Sequence, residues 1–300
     1  YGQGDAGEAS NVAHQQKKLK LIALKHFRDS FAVPLSDEEL EDIPFIKPDK
    51  ESEEIKYLHE KRKEAGGDLP IRKDHSERLK APDKAMFEEY FGGSDGKEVA
   101  TTMVAVKIMG KLLSNDDYGK YIVPIIPDES RTFGIEGFFG QAGIYSPLGQ
   151  QYEPVDKDSL LYYKQSKTGA IMEEGITEAG CMSEFIAAGT AYVNHGLSTI
   201  PFFFFYSMFG FQRIGDLIWA AADAGVKGFM IGGIAGRSSM PGEGLQHQDG
   251  QSHVYALAVP TLMAYDPAFA FEVAIIIQEG IRRMYVEKEE GMAMKLTTRP

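Results

Sequence analysis

The stretch Pro201–Asp216, PFFFFYSMFGFQRIGD, decides how the chain is read. Four phenylalanines and a tyrosine in succession are too apolar for a strand with one wet face. The run predicts a strand covered on both sides, as in a parallel sheet between layers of helices. It breaks at Gly210, and apolar residues then recur at helical spacing through Ile214, Leu217, Ile218 and Ala221. A strand that ends in aromatic side chains and turns into a helix is where open α/β sheets place their ligands. Tyr206, Phe209 and Phe211 at this junction are candidate binding residues, with core and turn packing as the competing explanation.

Working outward, further strand-like runs lie at 121–126 (YIVPII, where Pro124 disturbs regular pairing), 170–173, 225–232, 253–263 and 292–297. Helical periodicity covers 97–114, 178–193, 211–224 and 267–284. This alternation predicts an α/β fold with a mostly parallel sheet flanked by helices. The first third reads differently. Residues 1–17 are Gly-rich and polar, 18–31 and 52–65 are charged helices, and Ser36 opens an S-D-E-E capping box. Residues 68–95 are rich in charge, Pro and Gly. The expected organisation is a loop and linker region at 1–95 followed by an α/β domain at 96–300.

Three hundred residues with 43% hydrophobic content suffice for one large domain with an appendage. The net charge of −12, with no basic stripe, argues against nucleic acid as a partner. Cys181 is the only cysteine, which excludes an intrachain disulfide and points to a reducing compartment such as the cytoplasm. No apolar run approaches the roughly 20 residues that cross a bilayer. The amino-terminal residues lack the apolar core of a secretory signal. The chain begins without Met, inside a loop-like stretch, and ends close behind a strand-like run, so a segment of a longer polypeptide is expected.

Several residues are suited to chemistry. Glu178 opens a Gly/Ala-rich helix after a strand, where a carboxylate is also favoured simply by the helix dipole. Asp128 and Glu129 follow the strand YIVPII, a strand-end position at which turn formation or a salt bridge to Arg131 is an equal explanation. His247, Asp249 and His253 form an H-x-D-x3-H pattern whose residue types suit a metal. His14 lies in a polar loop where an exposed histidine needs no role. Gly4-Asp5-Ala6 with Asn11 lacks the third residue and the spacing of a metal–diphosphate loop.

Taken together, YGQGDAGEASNVAHQQKK, PIIPDESRTFGIEGFFGQAGIYSPLGQQY, EEGITEAG, IPFFFFYSMFGFQRIGDLIWAA and GEGLQHQDGQSH closely resemble the homodimeric type of pyruvate dehydrogenase. That family is the thiamine-diphosphate-dependent decarboxylating component of the pyruvate dehydrogenase complex. The resemblance runs over essentially the whole chain but covers only the middle of the larger protein. It implies the loop and linker after the diphosphate-binding domain, and then the domain that binds the cofactor's aminopyrimidine ring. The family's diphosphate and metal motif, GDG followed by NN, is absent, so the resemblance implies that Mg²⁺ and the diphosphate are held elsewhere and that this segment alone is inactive.

By the same resemblance, Glu178 matches the glutamate that hydrogen-bonds the pyrimidine nitrogen remote from the thiazolium and helps activate the cofactor. An apolar surrounding that raises its proton affinity would serve that role. Phe209 matches the aromatic side chain stacked on the pyrimidine, and Tyr206 a neighbouring active-site tyrosine. His247 matches a histidine that binds substrate or manages protons, which removes the need for a metal. Asp128 and Glu129 match acidic residues near the substrate channel. Glu8 and His14 fall in a loop that closes over the site, His14 matching the histidine used when the acetyl group passes to the lipoyl group of the dihydrolipoyl acetyltransferase component, on the route to acetyl-CoA. The resemblance also implies a homodimer, with the cofactor between subunits. The alternatives are a transketolase or another 2-oxo-acid dehydrogenase, a non-catalytic interaction or regulatory segment, and a metal-dependent hydrolase built on His247, Asp249 and His253. The strings around Asp128, Tyr206 and His247 favour pyruvate.

Overall fold

A computed structural model of the chain describes residues 4, 7–67, 73–127, 130–155, 157, 162–236, 244–289 and 293–298. It contains two compact units, Tyr1–Ile71 and Arg72–Pro300.

Among the described residues, the first unit holds the 3-10 turn Asn11–Gln15 and the helices α1 (Leu21–Ser30), α2 (Glu39–Asp42) and α3 (Glu53–Glu64). The capping box at Ser36 forms in both directions. Its backbone N–H donates to Glu39 Oε2 at 2.8 Å, and the Glu39 N–H donates to Ser36 Oγ at 3.2 Å. Ser52 caps α3 by accepting from the Ile55 N–H. Neither α1 nor α3 buries a residue, which fits their charge-rich sequences.

The second unit is the α/β domain that the phenylalanine run predicts. In chain order it contains α4 (Thr101–Leu113), β1 (Ile122–Ile126), α5 (Ser130–Phe133), α6 (Phe139–Ala142), β2 (Ile144–Tyr145), β3 (Gln165–Ser166) and β4 (Met172–Glu173). There follow α7 (Glu178–Gly189), α8 (Ala191–Asn194), β5 (Ile200–Tyr206), α9 (Phe209–Asp223) and β6 (Gly228–Gly233). The last elements are α10 (Ser252–Ala256), β7 (Leu262–Tyr265), α11 (Ala270–Ile281) and β8 (Ala293–Thr297). Six strands form one sheet in the order β4-β1-β5-β6-β8-β7, every neighbouring pair parallel.

All seven residues of β5 are buried. Because side chains alternate along a strand, Phe202, Phe204 and Tyr206 enter the core shared with α4 and α11, while Phe203 and Phe205 enter the one beneath α7 and α9. Phe202 stacks on Phe229 of β6 at 4.8 Å, and Phe203 packs against Phe185 of α7 at 6.2 Å. The central strand thus carries both cores, and its carboxyl end is fixed from both faces.

Between the first unit and α4, Leu79, Phe87 and Tyr90 are buried in the α4/α11 core. The Leu79 N–H donates to the carbonyl of Tyr285, and Ser198 Oγ donates to that of Glu77.

The expected strand at 253–263 is corrected: residues 252–256 are the short helix α10, and the strand begins only at Leu262. The cause is Asp249, whose Oδ1 accepts the N–H groups of Gln251 and Ser252 at 3.1 Å each and so starts a helical turn. The helix expected at 178–193 divides at Thr190, and α9 begins at Phe209, with Ile214 off helical geometry (φ −130°, ψ 23°). Among the described residues, no helix is long and apolar enough to cross a membrane.

Candidate active site

The carboxyl ends of β4, β1 and β5 lie side by side, with Glu173 in register with Ile126 and Ile125 with Phe203. Glu178 follows β4 in the chain, Tyr206 and Phe209 lie at and just after the end of β5, and His247 comes from the segment between β6 and α10. Glu178 is the first residue of α7, five residues beyond the end of β4. Its neighbour Thr177 performs the capping, accepting the Gly180 N–H at 3.2 Å, so the Glu178 carboxylate is turned to other use.

Glu178 is only 6% exposed. Both of its oxygens accept from Arg213 Nη1 at 3.1 Å. Arg213 comes from α9, four residues after Phe209, and the two side chains share one face of that helix. The centre of its guanidinium stands 3.8 Å from the centroid of the Phe209 ring, a stacking contact. A flat, N–H-donating, nitrogen-rich group is thus held on the face of Phe209 with its donor on Glu178. Those are the shape and donor pattern of a protonated aminopyrimidine, so the residues present fit such a ring.

Phe209 also meets Tyr206 edge to face, with centroids 5.9 Å apart and planes at 71°. The His247 ring completes this cluster, 4.7 Å from Tyr206 and 5.2 Å from Phe209. Phe133 supports Tyr206 from α5 at 5.4 Å. Phe211, one residue past Gly210, pairs instead with Tyr255 of α10 at 6.2 Å. The structure therefore brings Glu178, Arg213, Phe209, Tyr206 and His247 into one connected group.

Asp249 does not join His247 as a ligand. Its Oδ2 accepts from the hydroxyls of Ser207 and Ser252, and its Oδ1 from two backbone N–H groups. Burial opposes its charge, yet these hydrogen bonds prevail and hold its carboxyl below the usual range. Among the described residues, no three His, Cys, Asp or Glu side chains gather as a metal site. Cys181 is fully buried, and its thiol is pushed up to about 12 by burial and the nearby charges of Glu184, Glu174 and Glu178, so it is no nucleophile at neutral pH.

Asp128 and Glu129 lie outside the described residues. Next to them, Ser130 Oγ donates to Glu173 Oε1 at 2.6 Å, tying the ends of β1 and β4 together. Glu8 and His14 belong to the first unit. Glu8 Oε2 accepts the Gly4 N–H at 3.1 Å, and His14 is exposed in the turn Asn11–Gln15.

Sequence reasoning missed Arg213 and Ser207. The i, i+4 spacing of Phe209 and Arg213 was a usable sign of their stacking. The pairing of Arg213 with Glu178 depends on how α7 packs on α9, which no local pattern encodes.

A profile of the family described as "Pyruvate dehydrogenase E1 component middle domain" matches residues 79–298. The chain is 50% identical over 291 residues to the pyruvate dehydrogenase E1 component of Cupriavidus necator, covering 97% of this chain and 32% of that protein. The corresponding figures are 51% identity over 290 residues for the Pseudomonas aeruginosa E1 component, with 97% and 33% covered, and 47% over 303 for that of Escherichia coli K12, with 99% and 34%. The chain thus spans about a third of the length of these relatives. Among solved structures, transketolase from Campylobacter jejuni superposes with a TM-score of 0.56 at 16% identity, over 93% of this chain and 38% of that one. A Pichia stipitis transketolase gives 0.51 at 12%, over 93% and 34%. At such identities the likeness is one of fold, a transketolase-like α/β architecture.

Proposed function

Because the chain belongs to the family of pyruvate dehydrogenase E1 component middle domains, we propose that it is the aminopyrimidine-binding part of an enzyme that oxidatively decarboxylates pyruvate with thiamine diphosphate. The acetyl group would pass to the lipoyl group of a dihydrolipoyl acetyltransferase partner, feeding acetyl-CoA formation in the cytoplasm. The observation that carries this reading is the stacked, hydrogen-bonded niche of Phe209 and Glu178, in which Arg213 already holds a flat nitrogenous group. In this reading the working unit is a homodimer.

When bound, thiamine diphosphate supplies a carbon nucleophile for the 2-oxo carbonyl and an electron sink for the loss of CO₂. Phe209 orients the ring by stacking on its face. Glu178, buried at the start of α7, would accept the ring nitrogen's hydrogen bond and would be the group positioned to exchange a proton with it. Tyr206 and His247 line the adjoining side, where the substrate carbonyl and carboxylate would sit, and His247 holds or moves a proton there. Asp128 and Glu129 are assigned to the substrate channel with Glu8, and His14 to the acetyl hand-off. Mg²⁺ and the diphosphate would be held by a part of the full protein outside these residues.

The test is turnover by the full-length protein, supplied with thiamine diphosphate and Mg²⁺, on pyruvate, 2-oxoglutarate and a ketose phosphate. CO₂ release from pyruvate alone is expected. Activity on either of the others, with pyruvate inert, would overturn the substrate assignment in favour of another 2-oxo-acid dehydrogenase or a transketolase.

A further inference from the structure

His247 is carried by a short loop segment. Its own turn carries two local backbone bonds, His247 N–H to the Gly244 carbonyl at 3.2 Å and Gln248 N–H to the Leu245 carbonyl at 3.1 Å. Two residues later the chain is secured by Asp249, which is 6% exposed and accepts four hydrogen bonds. One of these comes from Ser207 Oγ, and Ser207 directly follows Tyr206 at the end of β5. Ser207 is itself fixed to the sheet, its N–H donating to the Gly233 carbonyl at 3.1 Å at the end of β6. Ser252 adds a second hydroxyl to Asp249 Oδ2 at 2.6 Å, and the backbone at Asp249 bridges antiparallel to Gly236. The fully buried Lys295 of β8 lies within the electrostatic reach of Asp249 and of Asp266.

We propose that Asp249, through its hydrogen bond from Ser207, is a positioning residue that sets where the His247 ring stands against Tyr206 and Phe209. The inference rests on the reading of His247 as a working residue. A buried carboxylate with every lone-pair direction used is a rigid joint, since releasing one partner leaves polar groups unsatisfied. Ser207 and Tyr206 are consecutive, so the same strand end that points Tyr206 into the cluster also receives the clamp on the His247 loop. Without the clamp, His247 would keep its chemistry and lose its address. Misplacement by about 1 Å costs roughly 100-fold in such sites.

The experiment uses the full-length enzyme with His247→Ala, Asp249→Asn, Ser207→Ala and the double variant His247→Ala/Asp249→Asn. Pyruvate turnover and thiamine diphosphate affinity are measured for each. Asp249→Asn is expected to lower kcat/KM by roughly 10- to 100-fold with cofactor affinity unchanged, and to add less than about threefold to the loss in His247→Ala. Ser207→Ala removes one hydrogen bond only, and is expected to give a smaller loss of the same kind should Asp249→Asn fail to fold. A loss in Asp249→Asn that multiplies fully onto that of His247→Ala would make Asp249 a general structural residue and overturn the proposal. Wild-type turnover in both Asp249→Asn and Ser207→Ala, beside an impaired His247→Ala, would overturn the positioning role alone. Full turnover in His247→Ala would overturn the functional reading of His247 and the positioning role with it.

Discussion

Arg213 donates from one nitrogen, at 3.1 Å, to both carboxylate oxygens of Glu178, joining the start of α7 to the exposed side of α9. Glu178 is buried, whereas half of the Arg213 side chain meets solvent. The pair therefore sits between the strong coupling of a dry ion pair and the weak coupling of a surface one. A double-mutant cycle with Glu178→Gln and Arg213→Gln, read by denaturant unfolding, is expected to give a coupling of about 1–2 kcal/mol. Additive effects would mean that the contact contributes nothing to stability.

The buried Lys295 is expected to leave a pH signature. Burial lowers its pKa from 10.5 to about 8, against the opposing pull of Asp249 and Asp266. Between about 8 and 10.4 the unfolded chain binds a proton that the folded chain does not, so stability rises with pH across that window. Below about 8 the cost is fully present. Relative to Lys295→Met, the wild type should gain about 2 kcal/mol between pH 7 and 9.5. Parallel pH profiles for the two proteins would contradict this.

Glu184 on α7 has the opposite sense. Burial, followed by the neighbouring charge of Glu174, raises its carboxyl to about 7. The folded chain then holds a proton between 4.5 and about 7 that the unfolded chain releases. Stability from this group is complete below pH 4.5 and is lost as pH rises to 7. Glu184→Gln should keep its melting temperature better than the wild type when pH is raised from 5 to 7.5, and an unchanged difference across that range would refute the assignment.

Gly280 lets α11 pack closely on the sheet. A Cβ there would lie 2.5 Å from Met294 Sδ and 2.6 Å from the Phe229 ring. Met294 can bend aside, but Phe229 is stacked on Phe202 and has little freedom. Gly280→Ala should destabilise the domain by about 1–3 kcal/mol in denaturant unfolding, in spite of alanine's better helix propensity. Equal or greater stability would mean that the helix can lift at no cost.

These expectations depend on how far local sequence determines the structure. The phenylalanine run was legible because a strand buried on both faces needs apolar residues at every position, and β5 meets that condition throughout. The helix-rich stretch from Ser130 to Ala142 and the helix at Ser252 were not. Their turns are too short to carry a readable periodicity, and the one at Ser252 is started by the local cap that Asp249 makes to the Gln251 and Ser252 N–H groups. In the candidate site, the strand-to-helix junction marked Tyr206 and Phe209 as candidates beside a core-packing reading, and the structure places their rings together with His247. Glu178 stood out by its place at a helix start, but its link to Arg213 appears only when two helices far apart in sequence are packed together.

The most direct test of the central claim is pyruvate decarboxylation by the full-length enzyme carrying Glu178→Gln, with thiamine diphosphate binding followed in parallel. Glutamine keeps the size and a hydrogen bond but cannot exchange a proton with the ring. The account predicts a loss of at least roughly 100-fold in turnover, the scale of a positioned proton-transfer group, while the cofactor still binds. Turnover equal to the wild type in the cofactor-loaded variant would contradict it.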